Sequence, residues 1–296
     1  MRAYRPGKRR VCRRNRNASR WSCHRAWKRS RCVVAILQRE CEILSHEQLS
    51  ETTWRIELSA KDIARLVKPG QFVHLRIPEF GEHILRRPFS VFQADSDAQV
   101  IRIVYRVVGE GTRRMTELAC GDTVDIIGPI GNGWRLPNEA RRVLIIGAGV
   151  GAAPVYELAK RGLNSGMDVT VVLGAQTHAE LVFEKPYLEL GVNVTCATDD
   201  GSYGFAGFCT DAALEAVDAA KAAGEPFDYC AVCGPYPVMR IAAGFCREKG
   251  IPCEVSMERR MACGIGACLS CVLDTTDGKK RSCVDGPVFD ANEVKW

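Results

Sequence analysis

Long apolar runs are absent from this sequence of 296 residues. Nowhere do about 18 apolar residues follow one another, so we expect no transmembrane span. No apolar signal core precedes the cysteines either. This makes a secreted disulfide scaffold the weaker explanation for fifteen cysteines, and metal binding the stronger one. The five histidines form no Ser/His/Asp or Cys/His set, so nucleophilic catalysis is not expected.

Acidic residues are absent from positions 1–32, which carry thirteen Lys or Arg. Of the 41 basic residues in the chain, 28 remain for residues 33–296 against 35 acidic ones, so that part has a charge of about −7. Residues 1–32 also lack apolar periodicity and are predicted to be a disordered basic leader. A nucleic-acid-binding arm, a transit peptide and a start assigned too far upstream are the alternatives. Nothing later in the chain points to nucleic acid.

The rest of the chain shows two successive patterns and a short third one. From residue 33 to 137, alternating strands such as Trp54–Leu58 and Val100–Val107 predict an antiparallel β-barrel. From residue 138 to 252, apolar runs such as Arg142–Ile146 alternate with helical stretches, which predicts a doubly wound parallel sheet. Residues 253–296 return to glycine, cysteine and short strands, and are predicted to form a small C-terminal segment.

The C-terminal segment holds the most specific motif. Its cysteines are spaced C-x4-C-x2-C-x11-C, the plant-type spacing for a [2Fe–2S] cluster, at Cys263, Cys268, Cys271 and Cys283. Each iron takes two bridging sulfides and two thiolates, and Gly264 and Gly266 allow the loop to curl with its backbone N–H groups towards sulfur. Zinc is the alternative, although its usual repeat is two C-x2-C pairs and only one such pair stands here. Unliganded cysteines would not cluster in this way.

Two motifs in the first domain have the chemistry of a flavin site. In Arg87-Pro-Phe-Ser90, the guanidinium can pair with a pyrophosphate, the ring can lie against a flat heterocycle and the hydroxyl can bind a ring nitrogen. Gly109-Glu-Gly-Thr112 can surround a phosphate with backbone N–H groups. Singly, these motifs are also typical of a strand start and a hairpin turn. Their order, beside a cluster motif, favours a flavin.

The second domain offers a nucleotide site. Gly147, Gly149 and Gly151 follow an apolar strand and open a helix, as a phosphate-binding loop must. The third glycine comes one residue earlier than in G-x-G-x-x-G, and the next strand ends without the carboxylate that holds a ribose, so a tight turn is the alternative. Cys233-Gly-Pro235 ends a later strand, at the edge where such sheets bind ligands.

The choice of nucleotide depends on weaker features. No Lys or Arg occurs between Val169 and Phe183 to receive a 2′-phosphate, which favours NAD over NADP. Thr198–Ser202 also lies past a strand end, where a turn and a ligand contact are equally consistent with the sequence.

Together, and in this order, these motifs resemble the ferredoxin-reductase-like proteins over about residues 33–296. Ser256–Cys268, Cys283–Asp290 and Gly128–Gly133 narrow the resemblance to the electron-transfer (K) subunits of NAD-linked dihydroorotate dehydrogenase. It implies a six-stranded FAD barrel, an NAD-binding sheet domain and a C-terminal [2Fe–2S] segment. The residues it implies for FAD are Arg87, Pro88, Phe89, Ser90, Val104, Tyr105, Arg106, Gly111 and Thr112. The candidates for NAD are Gly147, Gly149, Gly151, Cys233, Gly234 and Pro235, and the four motif cysteines are assigned to iron.

The resemblance also implies a function and a partner. The chain is expected to be an oxidoreductase subunit of pyrimidine biosynthesis, passing electrons from an FMN-containing dihydroorotate dehydrogenase catalytic subunit through [2Fe–2S] and FAD to NAD⁺. It implies a cytoplasmic heterotetramer with two subunits of each kind, bound to neither membrane nor nucleic acid. A flavin is required because a cluster carries one electron while nicotinamide accepts a hydride.

Two other functions remain open from the sequence. One is a subunit of an NAD(P)H-dependent ferredoxin:NADP oxidoreductase or a sulfhydrogenase gamma-type reductase, which share the fold and a similar cluster. The other, suggested by the leader and the cysteines, is a zinc-bearing nucleic-acid-binding module.

Overall fold

Two seven-stranded sheets follow one another along the chain in the computed structural model, which describes residues 36–78 and 84–296. The basic leader predicted for residues 1–32 lies outside these residues. Within them, no helix is both long enough and apolar enough to cross a bilayer.

The first sheet is antiparallel. Its strands are β1 Leu37–Gln48, β2 Thr53–Ser59, β3 Phe72–Arg76, β4 Arg87–Ser90, β5 Gln93–Asp95, β6 Val100–Arg106 and β7 Thr123–Ile130, in the order β4-β3-β7-β1-β2-β6-β5. Two short helices, α1 Lys61–Leu66 and α2 Glu110–Met115, connect strands. The sheet therefore has seven strands rather than the six that the resemblance implies, because the three-residue β5 pairs with β6 at one edge.

Strand β3 shows how alternation places side chains on the two faces of this sheet. Val73 and Leu75 are completely buried in the core enclosed by the sheet. Phe72 projects from the opposite face and packs with Cys271 and Cys283 of the C-terminal segment. The first sheet thus supports the cysteine motif directly.

The second sheet is mainly parallel. Its strands begin with β8 Arg142–Ala148, β9 Asp168–Ala175, β10 Asn193–Thr198, β11 Phe205–Ala206, β12 Tyr229–Cys233 and β13 Cys253–Ser256. A separate hairpin, β14 Val272–Thr275 and β15 Gly278–Arg281, precedes β16 Val288–Asp290, which joins this sheet antiparallel to β13. The strand order is β11-β10-β9-β8-β12-β13-β16.

Helices cover both faces of the second sheet and explain why β8 is apolar from Val143 onward. They are α3 Ala153–Asn164, α4 Glu184–Leu190, α5 Cys209–Ala222 and α6 Tyr236–Lys249. Val143 and Ile145 pack in the cluster that contains the α3 residues, while Leu144 and Ile146 pack in the cluster that contains the α5 and α6 residues. Strands β9 to β11 extend to one side of β8 and strands β12 and β13 to the other. The edge between β8 and β12 is therefore the topological switch point, where such sheets bind ligands.

Trp134 joins the two sheets. Its buried ring packs with Phe92 and Val104 of the first sheet's segment and with residues of α3, and its Nε1–H donates to the carbonyl of Pro154 at 2.9 Å. The following Arg135 forms an ion pair with the buried carboxylate of Glu254, which also accepts a hydrogen bond from the Tyr229 hydroxyl at 2.6 Å. These contacts hold the strand ends of the two sheets next to each other.

Candidate functional site

A cleft of about 460 Å³ opens between the two sheets. This volume is typical of a small-molecule or cofactor site. Thirteen of the fifteen cofactor-binding residues predicted from the sequence line it, and Gly111 and Gly147 do not. The lining residues come from β4, β6 and the start of α2 on one side, and from the ends of β8 and β12 on the other.

The barrel side of the cleft is built on strand β4. Arg87, Pro88, Phe89 and Ser90 form the whole of this strand, which pairs with β3. Gly111 lies just behind them, because a Cβ at that position would stand 3.2 Å from Nε of Arg87. The Thr112 hydroxyl accepts hydrogen bonds from the N–H groups of Val108 and Gly109 and donates to the Gly109 carbonyl. Thr112, which the resemblance implies at the phosphates, therefore shapes the start of α2 with its hydroxyl.

Strand β6 contributes to the cleft with alternating faces. Val104 packs in the cluster between the sheets, whereas the Tyr105 ring lies in the barrel core against Phe89, with ring centroids 5.8 Å apart. The Tyr105 hydroxyl is 2.8 Å from Nε2 of His46, and burial raises the pKa of Tyr105 well above its ordinary value. Tyr105 consequently supports the flavin motif from inside the barrel.

The opposite side of the cleft is the switch point between β8 and β12. A Cβ on Gly151 would lie 2.5 Å from the carbonyl oxygen of Cys233, and one on Gly234 would lie 2.8 Å from Cβ of Ala148. Only glycine permits two loop backbones to approach this closely. Gly147 is packed against Ala152 inside the same turn, which explains why it does not line the cleft.

The four motif cysteines meet as two pairs. Sγ of Cys271 lies 3.3 Å from Sγ of Cys283, and the backbone N–H of Cys268 donates to Sγ of Cys263 at 3.4 Å. A backbone hydrogen bond from Gly266 to Cys283 links the loop that carries the first three cysteines to the fourth. We call residues 263–271 the cysteine loop. Cys271 and Cys283 are buried, whereas Cys268 is exposed.

This pairing fits two irons better than one zinc ion. Zinc requires four sulfurs about 3.8 Å apart, given Zn–S bonds of about 2.3 Å in a tetrahedron. Within the described part of the chain, no three of these four sulfurs lie within 4.8 Å of one another. A [2Fe–2S] cluster takes two thiolates on each iron, so two separate pairs are the arrangement it needs.

Backbone groups of the cysteine loop also favour an anionic sulfur. Burial raises the pKa of the Cys263 thiol, but hydrogen bonds from the N–H groups of Cys268 and Ile265 outweigh it and lower that pKa to about 7. Burial, and then hydrogen bonding with Cys271, raise the pKa of Cys283 to about 12. The pair formed by Cys263 and Cys268 therefore has the N–H donors that an iron–sulfur cluster requires.

His74 is a residue of this site that the sequence reasoning missed. Its side chain is fully buried, and a Cβ on Gly264 of the cysteine loop would lie 2.7 Å from its Nδ1. Burial, and then the charge of Arg86, lower the pKa of His74 to about 4, so the ring is neutral at neutral pH. The sequence signal was its position between the core residues Val73 and Leu75, which places it on the face opposite the barrel core.

A second group of cysteines lies in the core of the second sheet. Sulfur atoms of Cys230, Cys246 and Cys253 lie within 4.8 Å of one another, and we call these three residues the thiol core. Cys230 and Cys253 are neighbours on strands β12 and β13, and α6 places Cys246 above them. All three are buried among apolar side chains. Hydrogen bonding to Cys246 and Cys253, and then burial, raise the pKa of Cys230 well above its ordinary value.

Comparison with known proteins agrees with this site. Residues 40–134 match the oxidoreductase FAD-binding domain, and residues 258–295 match the iron–sulfur cluster binding domain of dihydroorotate dehydrogenase B. The electron transfer subunit of dihydroorotate dehydrogenase B (NAD(+)) from Geobacillus thermodenitrificans is 39% identical over 257 residues, which cover 85% of this chain and 96% of that protein. The subunit of the same name from Desulforamulus reducens is 37% identical over 261 residues, covering 87% and 98%.

This chain belongs to the family of dihydroorotate dehydrogenase B electron transfer subunits. A solved structure of an NADH-dependent reduced ferredoxin-NADP oxidoreductase is also similar, with a TM-score of 0.77 and 32% identity over 86% of this chain and 90% of that one. The predicted fold class, the oxidoreductase class, the FAD-binding and iron–sulfur-binding domains and the electron-transfer role are thereby confirmed. The individual ligand residues and the domain boundaries stay predictions.

Proposed function

We propose that this chain accepts electrons from an FMN-containing dihydroorotate dehydrogenase subunit and delivers them, by way of a [2Fe–2S] cluster and FAD, to NAD⁺ in pyrimidine biosynthesis. The observation that carries this proposal is the meeting of two cysteine pairs beside a cleft that joins the flavin motif to the nucleotide motif. Two subunits of each kind and a cytoplasmic location are part of the same proposal.

Each part of the chain would hold one group. In this division, residues 33–137 bind FAD, residues 138–252 bind NAD and residues 253–296 bind the cluster. The ligands of the irons are Cys263, Cys268, Cys271 and Cys283. When bound, the flavin converts between the single electrons that a cluster carries and the hydride that nicotinamide accepts.

The residues of the chain itself hold the bound groups in position and exclude water from them. Strand β4 fixes the Arg87 guanidinium and the Ser90 hydroxyl on a rigid sheet edge, and the turn at Thr112 fixes the neighbouring backbone. The close glycine contacts at the switch point pack the loops after β8 and β12 against each other at the edge of the cleft. Met261 and Pro287 line the same cleft from the C-terminal segment, so the iron site and the flavin site share a boundary.

The carboxylates beyond strands β9 and β10 support NAD over NADP. Burial raises the pKa of Asp199, and the nearby charges of Asp200 and Glu180 raise it further. This cluster of negative charge lies at the carboxyl edge of the sheet, where a 2′-phosphate would be repelled.

Exposed apolar residues on the cysteine loop support a partner at this face. Ile265 and Leu269 are 53% and 61% exposed, and Leu269 has a backbone φ of +58°, a conformation that leucine rarely adopts. Strain and apolar exposure together are typical of a surface kept for binding. We propose that the dihydroorotate dehydrogenase subunit covers this loop, because single electrons must pass over a short distance.

Copurification tests the function. The chain is expressed with the catalytic dihydroorotate dehydrogenase subunit, and the purified pair is assayed for dihydroorotate-dependent reduction of NAD⁺ and of NADP⁺. We expect flavin and iron–sulfur absorption and faster reduction of NAD⁺. A pair that forms but reduces no NAD⁺ would show that the function is wrong even though the cofactors are right.

A matched pair of variants tests the docking face. Leu269→Glu places a charge on the cysteine loop, whereas Leu188→Glu changes an equally exposed leucine on α4. We expect Leu269→Glu to weaken the complex by about 2 kcal/mol, roughly 30-fold in Kd, and Leu188→Glu to leave Kd unchanged. Equal effects of the two variants would exclude the cysteine loop as the docking face.

The similarity to the NADH-dependent reduced ferredoxin-NADP oxidoreductase supports one alternative function. In that case the electron partner would be a ferredoxin-linked flavoprotein, and dihydroorotate would give no NADH in any purified pair. The identity of the copurified flavoprotein separates the two functions.

A further inference from the structure

His74 is fully buried, yet neither of its ring nitrogens has a hydrogen-bond partner among the residues that the structure describes. Buried polar groups without a partner destabilise a fold, so native proteins retain few of them. The imidazole therefore marks the position of a partner that the described polypeptide does not supply.

Strand β3 turns this imidazole towards the iron site. The rings of Phe72 and His74 lie on the same face of the strand with centroids 5.9 Å apart. Phe72 packs with Cys271 and Cys283, which form the buried cysteine pair. His74 is thus next to Phe72, the residue that packs against this cysteine pair.

The cysteine loop closes over the other side of the ring. Gly264 directly follows Cys263 and has φ of +69°, and a Cβ there would lie 2.7 Å from Nδ1 and 2.9 Å from Cε1 of His74. Glycine at this position leaves room for the imidazole. The histidine consequently has the cysteine loop on one side and, on the other, Phe72, which packs with the buried cysteine pair.

The flavin cleft is the less suitable partner. Phe72 and Met261 line that cleft, but His74 is not among its lining residues. The cysteine loop, by contrast, approaches Nδ1 and Cε1 of the ring at Gly264.

We propose that His74 donates an imidazole N–H to a sulfur of the [2Fe–2S] cluster and so raises the reduction potential of that cluster. This inference rests on the cluster assignment of the proposed function. A hydrogen bond to sulfur stabilises the extra negative charge of the reduced cluster more than it stabilises the oxidised one. His74 acts through the cluster and is a positioning residue.

The test compares variants of the full chain purified with its cluster. His74→Leu removes both nitrogens and keeps an apolar side chain, while His74→Asn and His74→Gln place an amide nitrogen near the positions of Nδ1 and Nε2. His178→Leu removes an exposed histidine that stacks on Tyr203 and serves as the control. The readouts are iron and sulfide content, the midpoint potential from an EPR-monitored titration, and pulsed EPR of protein labelled with ¹⁵N-histidine.

We expect a weak histidine-nitrogen coupling in the reduced wild-type cluster and a lower midpoint potential, without that coupling, in His74→Leu. Either the Asn or the Gln variant restores part of the potential and so identifies the donating nitrogen. The control keeps the wild-type potential and coupling. If His74→Leu does not retain the cluster, the histidine-nitrogen coupling in the labelled wild-type protein tests the hydrogen bond without the variant.

Four outcomes would overturn the inference. A wild-type cluster without histidine coupling, or a potential unchanged in His74→Leu, would show that His74 donates no hydrogen bond to the cluster. Either result would leave the proposed function intact. A coupling as large as that of an iron-bound nitrogen would show that His74 is an iron ligand and not a hydrogen-bond donor. Wild-type protein without any [2Fe–2S] signal overturns the proposed function, and this inference with it.

Discussion

The cysteine loop and the thiol core both bring cysteine sulfurs together, but backbone N–H groups are the donors in the first, whereas other thiols and apolar side chains surround the sulfurs of the second. In the cysteine loop, backbone N–H groups point at Cys263, and Cys268 is exposed. In the thiol core, three sulfurs that lie within 4.8 Å of one another are enclosed by apolar side chains, and Cys246 lies in the last turn of α6. The negative end of a helix disfavours an anionic centre, although hydrogen bonds from the thiols of Cys230 and Cys253 lower the pKa of Cys246 to about 5. Proximity of sulfur is therefore a weaker sign of a metal site than donors that stabilise charge.

Removing one cysteine from each group gives the largest expected difference. Cys283→Ser breaks the buried pair and should abolish the visible absorption of the cluster, because the second iron then has one thiolate. Cys246→Ala should leave iron, sulfide and absorption unchanged. The measurement is iron and acid-labile sulfide per chain, together with the spectrum.

The same samples also test whether the thiol core binds a metal ion, which would contradict the contrast drawn between the two groups of cysteines. Metal analysis should find no zinc or copper in stoichiometric amount in the wild-type chain. One such ion per chain, lost in Cys246→Ala, would show that the thiol core is a metal site despite its apolar surroundings.

Alkylation should separate the two groups almost as clearly. After removal of iron, iodoacetamide is expected to modify Cys268 completely while the three thiols of the thiol core remain unmodified, since their reaction requires unfolding of the core. Peptide mass spectrometry measures the modified fraction at each cysteine. Modification of Cys253 at the rate of Cys268 would contradict the buried position of the thiol core.

Two glycine variants compare the backbones of the two regions. Gly264→Ala combines a left-handed backbone with a Cβ that meets His74, so we expect a loss of about 2–4 kcal/mol at the loop and reduced iron content. Gly250→Ala, at the end of α6 beside the thiol core, has a similar φ of +74° but open space around the new Cβ. It should cost about 1 kcal/mol and leave the iron content unchanged. Equal iron contents in the two variants would show that the contact with His74 is not required.

The smallest expected effect lies within the thiol core. Cys246→Ala should lower the free energy of unfolding by about 1 kcal/mol through lost packing, and Cys246→Ser by about 1–3 kcal/mol because it buries a hydroxyl. Denaturant titration measures both. A serine variant more stable than the alanine variant would mean that hydrogen bonding among the thiols, rather than packing, stabilises this core.

The motifs that could be predicted share one property, which is that their function depends on residues close together in the chain. The first three cluster cysteines lie within nine residues, and Arg87 to Ser90 form one strand. Tyr105 shows the limit of this approach, because it lines the cleft together with Val104 and Arg106 and yet its ring packs in the barrel core. Which side of a strand meets a cofactor depends on the sheet that packs against it.

Residues brought together from distant positions were not predictable. His74 meets Gly264 only because β3 and the C-terminal segment pack on each other, and the thiol core joins strands β12 and β13 to helix α6. No spacing in the sequence encodes these contacts.

The amino-acid sequence alone determined the order of the two domains, the cysteine spacing and the family, because periodicity, glycine positions and ligand spacing are local properties of a chain. The tertiary structure alone decided that the four cysteines meet as two pairs, that three other cysteines form a buried core and that an unpaired histidine lies against the cysteine loop. These are decided by long-range packing, in which burial and hydrogen-bond partners come from segments far apart in the sequence.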